Sequence, residues 1–147
     1  MYSTVRTATC VVGPLVAALA ICLLGFAKLA DLPSFFVALT SWTMVPSSMR
    51  SFVGVAVPIV EVLLAGTYII TRHRTNAISL IVLVLGFTVA YIIQWRLWQQ
   101  PSCGCFGGVS LYFRKLDEAP MVIAKNVLLV VMLAPSVFAS PRPSSSP

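Results

Sequence analysis

The sequence predicts an all-α, polytopic membrane protein: a four-transmembrane-helix bundle with a short interfacial helix after the first span. Three observations carry that prediction. Hydrophobic residues make up 59% of the 147-residue chain and charged residues only 10%, against about 25% charged in soluble domains. Mean hydropathy is +0.95. Apolar stretches of about membrane-crossing length recur four times, divided by polar intervals. The net charge of +6 comes from ten basic residues that lie between the apolar stretches rather than along one stripe. Membrane flanks look like this, and nucleic-acid surfaces do not. The expected partner surface is therefore the lipid bilayer, with no nucleic acid. One membrane domain, residues 1–139, precedes a Pro/Ser-rich tail, residues 140–147, predicted to be disordered.

The N-terminal residues 1–9 are polar, with Arg6 and no acid. Cys10–Ala27 follows as 18 residues without a charge, long enough to cross the hydrocarbon core. It exceeds a signal-peptide apolar region and ends in Lys28-Leu29-Ala30-Asp31 without a small-residue cleavage site, so it reads as a retained first span. Leu32-Pro33-Ser34 starts the short interfacial helix, on which Phe35, Phe36, Leu39 and Trp42 share one face, with Trp42 at headgroup level. The second span runs from about Phe52 to Ile70 and contains Pro58, Glu61 and Gly66. Proline and glycine are tolerated there because neighbouring helices re-satisfy the backbone. A basic turn, Arg72-His73-Arg74-Thr75-Asn76, leads to the third span, Ala77–Trp95, which is charge-free and ends in Tyr91, Gln94, Trp95 and Trp98. After the polar interval Gln99–Pro120, the fourth span runs from about Met121 to Ala139 and carries Lys125 and Asn126 in its second turn.

The polar interval holds Cys103-Gly104-Cys105-Phe106-Gly107-Gly108. Alternate Cα atoms lie about 5.5–7 Å apart, overlapping the separation a disulfide accepts, and glycine tolerates the torsions of so small a ring. Such a ring is strained and easily reduced, as redox-active disulfides are. The plainer reading is two unpaired thiols in a tight turn, because C-x-C alone is a weak signal. Four spans put both long connectors on one side, which gathers Lys28, Arg50, Arg96 and Lys125 onto the cysteine face. Ordinary snorkelling accounts for Arg50 and Arg96. The functional alternative is a cationic collar that lowers a thiol pKa, since the thiolate is the nucleophile.

Sidedness divides the signals. The cysteine face carries six Lys/Arg (Lys28, Arg50, Arg96, Arg114, Lys115, Lys125) and the other four (Arg6, Arg72, Arg74, Arg142), so the raw count favours the cysteines inside. The purely basic N-terminus, the dense basic turn and the preference of a labile disulfide for an oxidising compartment favour the opposite. The expected arrangement is a cell-membrane protein with both termini cytoplasmic and the cysteine motif extracytoplasmic.

Glu61, an acid near mid-membrane, requires a partner or a proton, and Lys28 and Lys125 are the cations nearest in depth. Cys10 and Cys22 lie within the first span, where Cys22 reads as an inert buried thiol rather than a third member of the motif. His73 belongs to the opposite face, so Cys103 and Cys105 lack the four Cys/His ligands of a zinc site. A two-thiolate Cu(I) site stays open. Neither a cofactor nor a resident metal is predicted.

Gly25-Phe26-Ala27-Lys28-Leu29-Ala30-Asp31, Pro58-Ile59-Val60-Glu61-Val62-Leu63-Leu64-Ala65-Gly66, Cys103-Gly104-Cys105-Phe106-Gly107 and Lys125-Asn126-Val127-Leu128-Leu129 together resemble the MauE family of methylamine-utilisation membrane proteins, relatives of the DoxX-like four-helix proteins. The resemblance covers nearly the whole chain. One departure is Lys125, where Arg is expected before the Asn; a lysine is a point charge and makes no bidentate carboxylate contact. The resemblance implies a role in maturing the disulfide-rich small subunit of methylamine dehydrogenase, or another exported client, alongside a thioredoxin-like extracytoplasmic protein. On that reading Cys103 and Cys105 exchange with a partner's dithiol, so any enzyme activity is that of a thiol–disulfide oxidoreductase. Lys28, Asp31, Glu61, Gly104, Phe106, Gly107, Lys125 and Asn126 support the pair. The rivals are a non-catalytic membrane scaffold, a Cu(I) or small-molecule carrier and, as a variant, a quinone-coupled oxidase, for which only Cys22 could add to the cysteine pair.

Overall fold

A computed structural model describes residues 2–97 and 118–138, with the backbone alone for residues 2–10. Five helices follow in order: α1 Tyr2–Ala30, α2 Leu32–Thr40, α3 Ser47–Thr71, α4 Arg74–Leu97 and α5 Ala119–Phe138. Among the described residues there is no strand. Four of these helices are long and apolar enough to cross a membrane: α1 over Val11–Ala30, and α3, α4 and α5 over their whole lengths. Leu23, Leu63, Val82, Leu128 and Val131 are all exposed on the outside of the bundle. So much outward apolar surface suits lipid and not water. The chain is a multi-pass membrane protein.

The spans form a ring in which α1 packs on α3 and α5, and α4 packs on the same two helices. The most extensive contact is α1 on α3. At one end, Ala17 and Ala18 of α1, Ala65 of α3 and Ala77 of α4 are fully buried beside Ile21, Leu80 and Leu133. Small side chains let backbones approach closely, the packing that replaces the hydrophobic effect inside a bilayer. Cys22 packs against this cluster and is half-buried.

The helices extend beyond the apolar windows read from sequence. α3 starts at Ser47, capped by Pro46, so Arg50 sits in its first turn and donates from Nε to the Val45 carbonyl at 3.2 Å. α4 starts at Arg74, which shrinks the basic turn to Arg72 and His73. Arg72 adopts a left-handed φ of 52° and its N–H reaches the Tyr68 carbonyl at 2.8 Å, closing α3. Hydropathy is blind to polar helical turns at a membrane surface, and an arginine in the usual glycine position gives no stop signal.

α2 forms where the sequence places a short helix. Asp31 is its N-cap and accepts the Ser34 N–H at 3.2 Å, with Pro33 in the first turn, where its missing N–H is harmless. Phe35, Ala38 and Leu39 are buried, and α2 packs on α3. Gly54 makes that approach possible: a Cβ there would collide with the Phe36 ring and come within 3.1 Å of Leu39. Trp42, just past the end of α2, packs on Tyr91 of α4, ring centroids 6.1 Å apart and edge-on, because Tyr91 offers a buried aromatic partner.

Candidate functional site

α2 packs on α3 and α1 at one end of the bundle. A cavity of about 230 Å³ opens there among all five helices. Its lining runs over the last third of α1, from Val53 to Glu61 of α3, from Leu83 to Tyr91 of α4 and from Val122 to Leu129 of α5. Phe35 and Leu39 of α2 and Trp42, Met44 and Val45 of the α2–α3 connection complete it. α4 ends and α5 begins at this same end.

Four of the sequence-predicted residues line this one cavity: Lys28, Glu61, Lys125 and Asn126. The Lys28 ammonium donates to both carboxylate oxygens of Glu61 at 2.7 Å, bridging α1 to α3 across 33 residues of sequence. Both partners are buried, with 6% and 7% of their surface exposed. Lys28 lies in the last turn of α1, where the carbonyl end of the helix dipole favours a cation. Its Nζ also sits 5.6 Å from the centroid of the Phe35 ring and 5.8 Å from that of Phe87, within cation–π range. The carboxylate and two aromatic faces thus replace the water that the ammonium loses.

Gly25, one turn before Lys28, sets the distance between the two helices. A Cβ on it would lie 2.8 Å from a Val62 methyl, 3.2 Å from the Pro58 carbonyl and 3.3 Å from the Glu61 Cβ. The two sequence motifs, Gly25 to Lys28 and Pro58 to Glu61, are therefore the two halves of one helix contact. Asn126 ties α5 to α4: its Nδ2 donates to Thr88 Oγ1 at 3.0 Å, and that hydroxyl donates to the Val84 carbonyl at 2.7 Å. Asp31 caps α2 and does not line the cavity. Cys103, Gly104, Cys105, Phe106 and Gly107 lie outside the described residues.

Sequence reasoning missed Phe35 and Phe87 as neighbours of Lys28, and Thr88 as the anchor of Asn126. It noted Gln94 but not its role. This residue is fully buried, donates from Nε2 to Thr43 Oγ1 at 2.9 Å and accepts the Met44 N–H at 3.2 Å, which pins the α2–α3 connection to α4. Thr88, Tyr91 and Gln94 stand three residues apart in the otherwise apolar stretch 80–95 of α4, and that spacing was the available signal.

A buried ion pair among the described residues and a cavity beside it are the parts of a membrane-embedded site. Comparison with known proteins adds the family. The model described as "Methylamine utilisation protein MauE" matches residues 6–139. No curated protein and no solved structure matches the chain. The match covers nearly all of the sequence and takes in both halves of the Lys28–Glu61 contact, the cysteine motif and Lys125-Asn126. The chain is a membrane protein that belongs to the MauE family of methylamine utilisation proteins.

Proposed function

We propose that this protein is an integral membrane thiol–disulfide factor in which Cys103 and Cys105 exchange with an exported partner. The partner is a thioredoxin-like extracytoplasmic protein or a disulfide-rich client such as the methylamine dehydrogenase small subunit. The observation that carries the reading is the motif's place in the sequence. It lies between the C-terminus of α4 and the N-terminus of α5, both of which end beside the cavity that holds Lys28, Glu61 and Lys125. In the exchange, one thiolate attacks a partner disulfide and forms a mixed disulfide. The second cysteine then displaces the partner, which leaves as a dithiol while Cys103 and Cys105 become linked. Two electrons pass, and the reverse sequence oxidises the partner instead. The Lys28–Glu61 pair fixes α1 against α3, and Lys125 adds positive charge at the start of α5.

Two measurements test this reading. A redox titration of the Cys103/Cys105 pair is expected to give a potential well above the roughly −300 mV below which structural disulfides lie. A lower value makes the pair structural and favours a scaffold. Labelling of reduced cells with a membrane-impermeant thiol reagent is expected to modify Cys103 or Cys105 without permeabilisation, with both termini cytoplasmic. Modification only after permeabilisation reverses the orientation.

A further inference from the structure

We propose that the cavity beside the Lys28–Glu61 pair binds a lipid-soluble, single-ring carbonyl compound of the quinone class. Size is the first argument. A cavity of roughly 150 Å³ accommodates a benzene ring, and this one has about 230 Å³. The walls are the second. Phe35, Trp42, Phe87 and Tyr91 contribute four aromatic rings to an otherwise mainly aliphatic lining, so a flat ring can stack where a flexible acyl chain gains less. The cavity lies among helices long and apolar enough to span a membrane, which suits a ligand that partitions into lipid.

The polar end selects the head group. An ammonium there would face both Lys28 and Lys125, and a carboxylate, although drawn by Lys125, would face Glu61. A neutral acceptor meets neither objection. Lys28 has three N–H donors and gives two contacts to Glu61; Asn126 gives one of its two amide hydrogens to Thr88. That leaves one Asn126 amide hydrogen for a carbonyl oxygen, while the third Lys28 N–H lies among the Phe35 and Phe87 rings. The proposal deepens the thiol–disulfide reading, because a bound quinone can take two electrons and two protons from a dithiol to leave a disulfide and a quinol.

The test is tryptophan quenching on the purified full chain in detergent. Replacing Trp95 and Trp98 by Phe leaves Trp42, in the cavity wall, as the only one of three tryptophans. Titration with a short-chain alkyl benzoquinone is expected to quench it saturably. Ala90→Phe, which fills the cavity, is expected to weaken binding more than tenfold, and Val82→Phe, on the lipid-facing surface, to leave it unchanged. Asn126→Leu removes one donor and is expected to weaken binding roughly five- to tenfold. An alkylbenzene of the same size is expected not to compete. The titration is repeated with Cys103→Ser and Cys105→Ser combined, where binding is expected to persist, so failure of the site and failure of thiol exchange are read separately. Quenching that rises linearly with probe and ignores Ala90→Phe overturns the proposal, as does equal competition by the alkylbenzene.

Discussion

Glu61→Gln is expected to destabilise the protein by about 3–5 kcal/mol, the cost of removing one partner from a buried ion pair. The substitution keeps the shape of the side chain and removes its charge, leaving the Lys28 ammonium among Phe35, Phe87 and an amide. Two cation–π contacts soften the loss without replacing a carboxylate that takes two hydrogen bonds at 2.7 Å. Lys28→Met in the same chain is expected to recover most of the stability, because an apolar side chain of similar length ends the unpaired burial. Thermal unfolding in detergent of both single variants and the double variant measures the coupling. If Glu61→Gln melts with the parent, the pair contributes nothing and the account of the α1–α3 contact fails.

The second large effect is expected at Gly25. Gly25→Leu places a side chain against the stiff, β-branched Val62 and the Pro58 carbonyl, and neither can yield, so α1 moves away from α3. Overpacking of this kind costs about 1–3 kcal/mol. Here it also stretches the Lys28–Glu61 bridge one turn away, so the expected loss lies at or above the top of that range. Gly66→Ala is the matched control. Nothing lies within 4 Å of the added Cβ, and alanine is the better helix former, so stability is expected to hold or rise by up to about 1 kcal/mol. Equal losses at both positions would show that helical glycine itself, and not close approach, is what matters.

Both effects begin in features legible in the sequence. An acid in one apolar span and a lysine at the end of another had few other partners at that depth, and the four apolar stretches required four spans. What sequence did not show were the packing of Trp42 on Tyr91 and the aromatic flanks of Lys28. Apolar periodicity shows which residues avoid water, but in a membrane the lipid-facing and core-facing sides are both apolar. Only polar residues break that symmetry, which is why Asn126 was noticed and Phe87 was not. Helix ends were misplaced for a related reason: Ser47–Ser51 and Arg74–Asn76 are polar yet helical, and a hydropathy window cuts them off.

The central claim, that Cys103 and Cys105 exchange disulfides with an exported protein, is tested most directly by trapping the intermediate. Cys103→Ser and Cys105→Ser variants, each left with one cysteine of the pair, are isolated from cells after acid quenching and resolved without reductant. One of the two is expected to carry a covalently attached extracytoplasmic protein, released by dithiothreitol and identified by mass spectrometry. An adduct absent from both variants, with the pair staying reduced in the parent under oxidising conditions, would contradict the account.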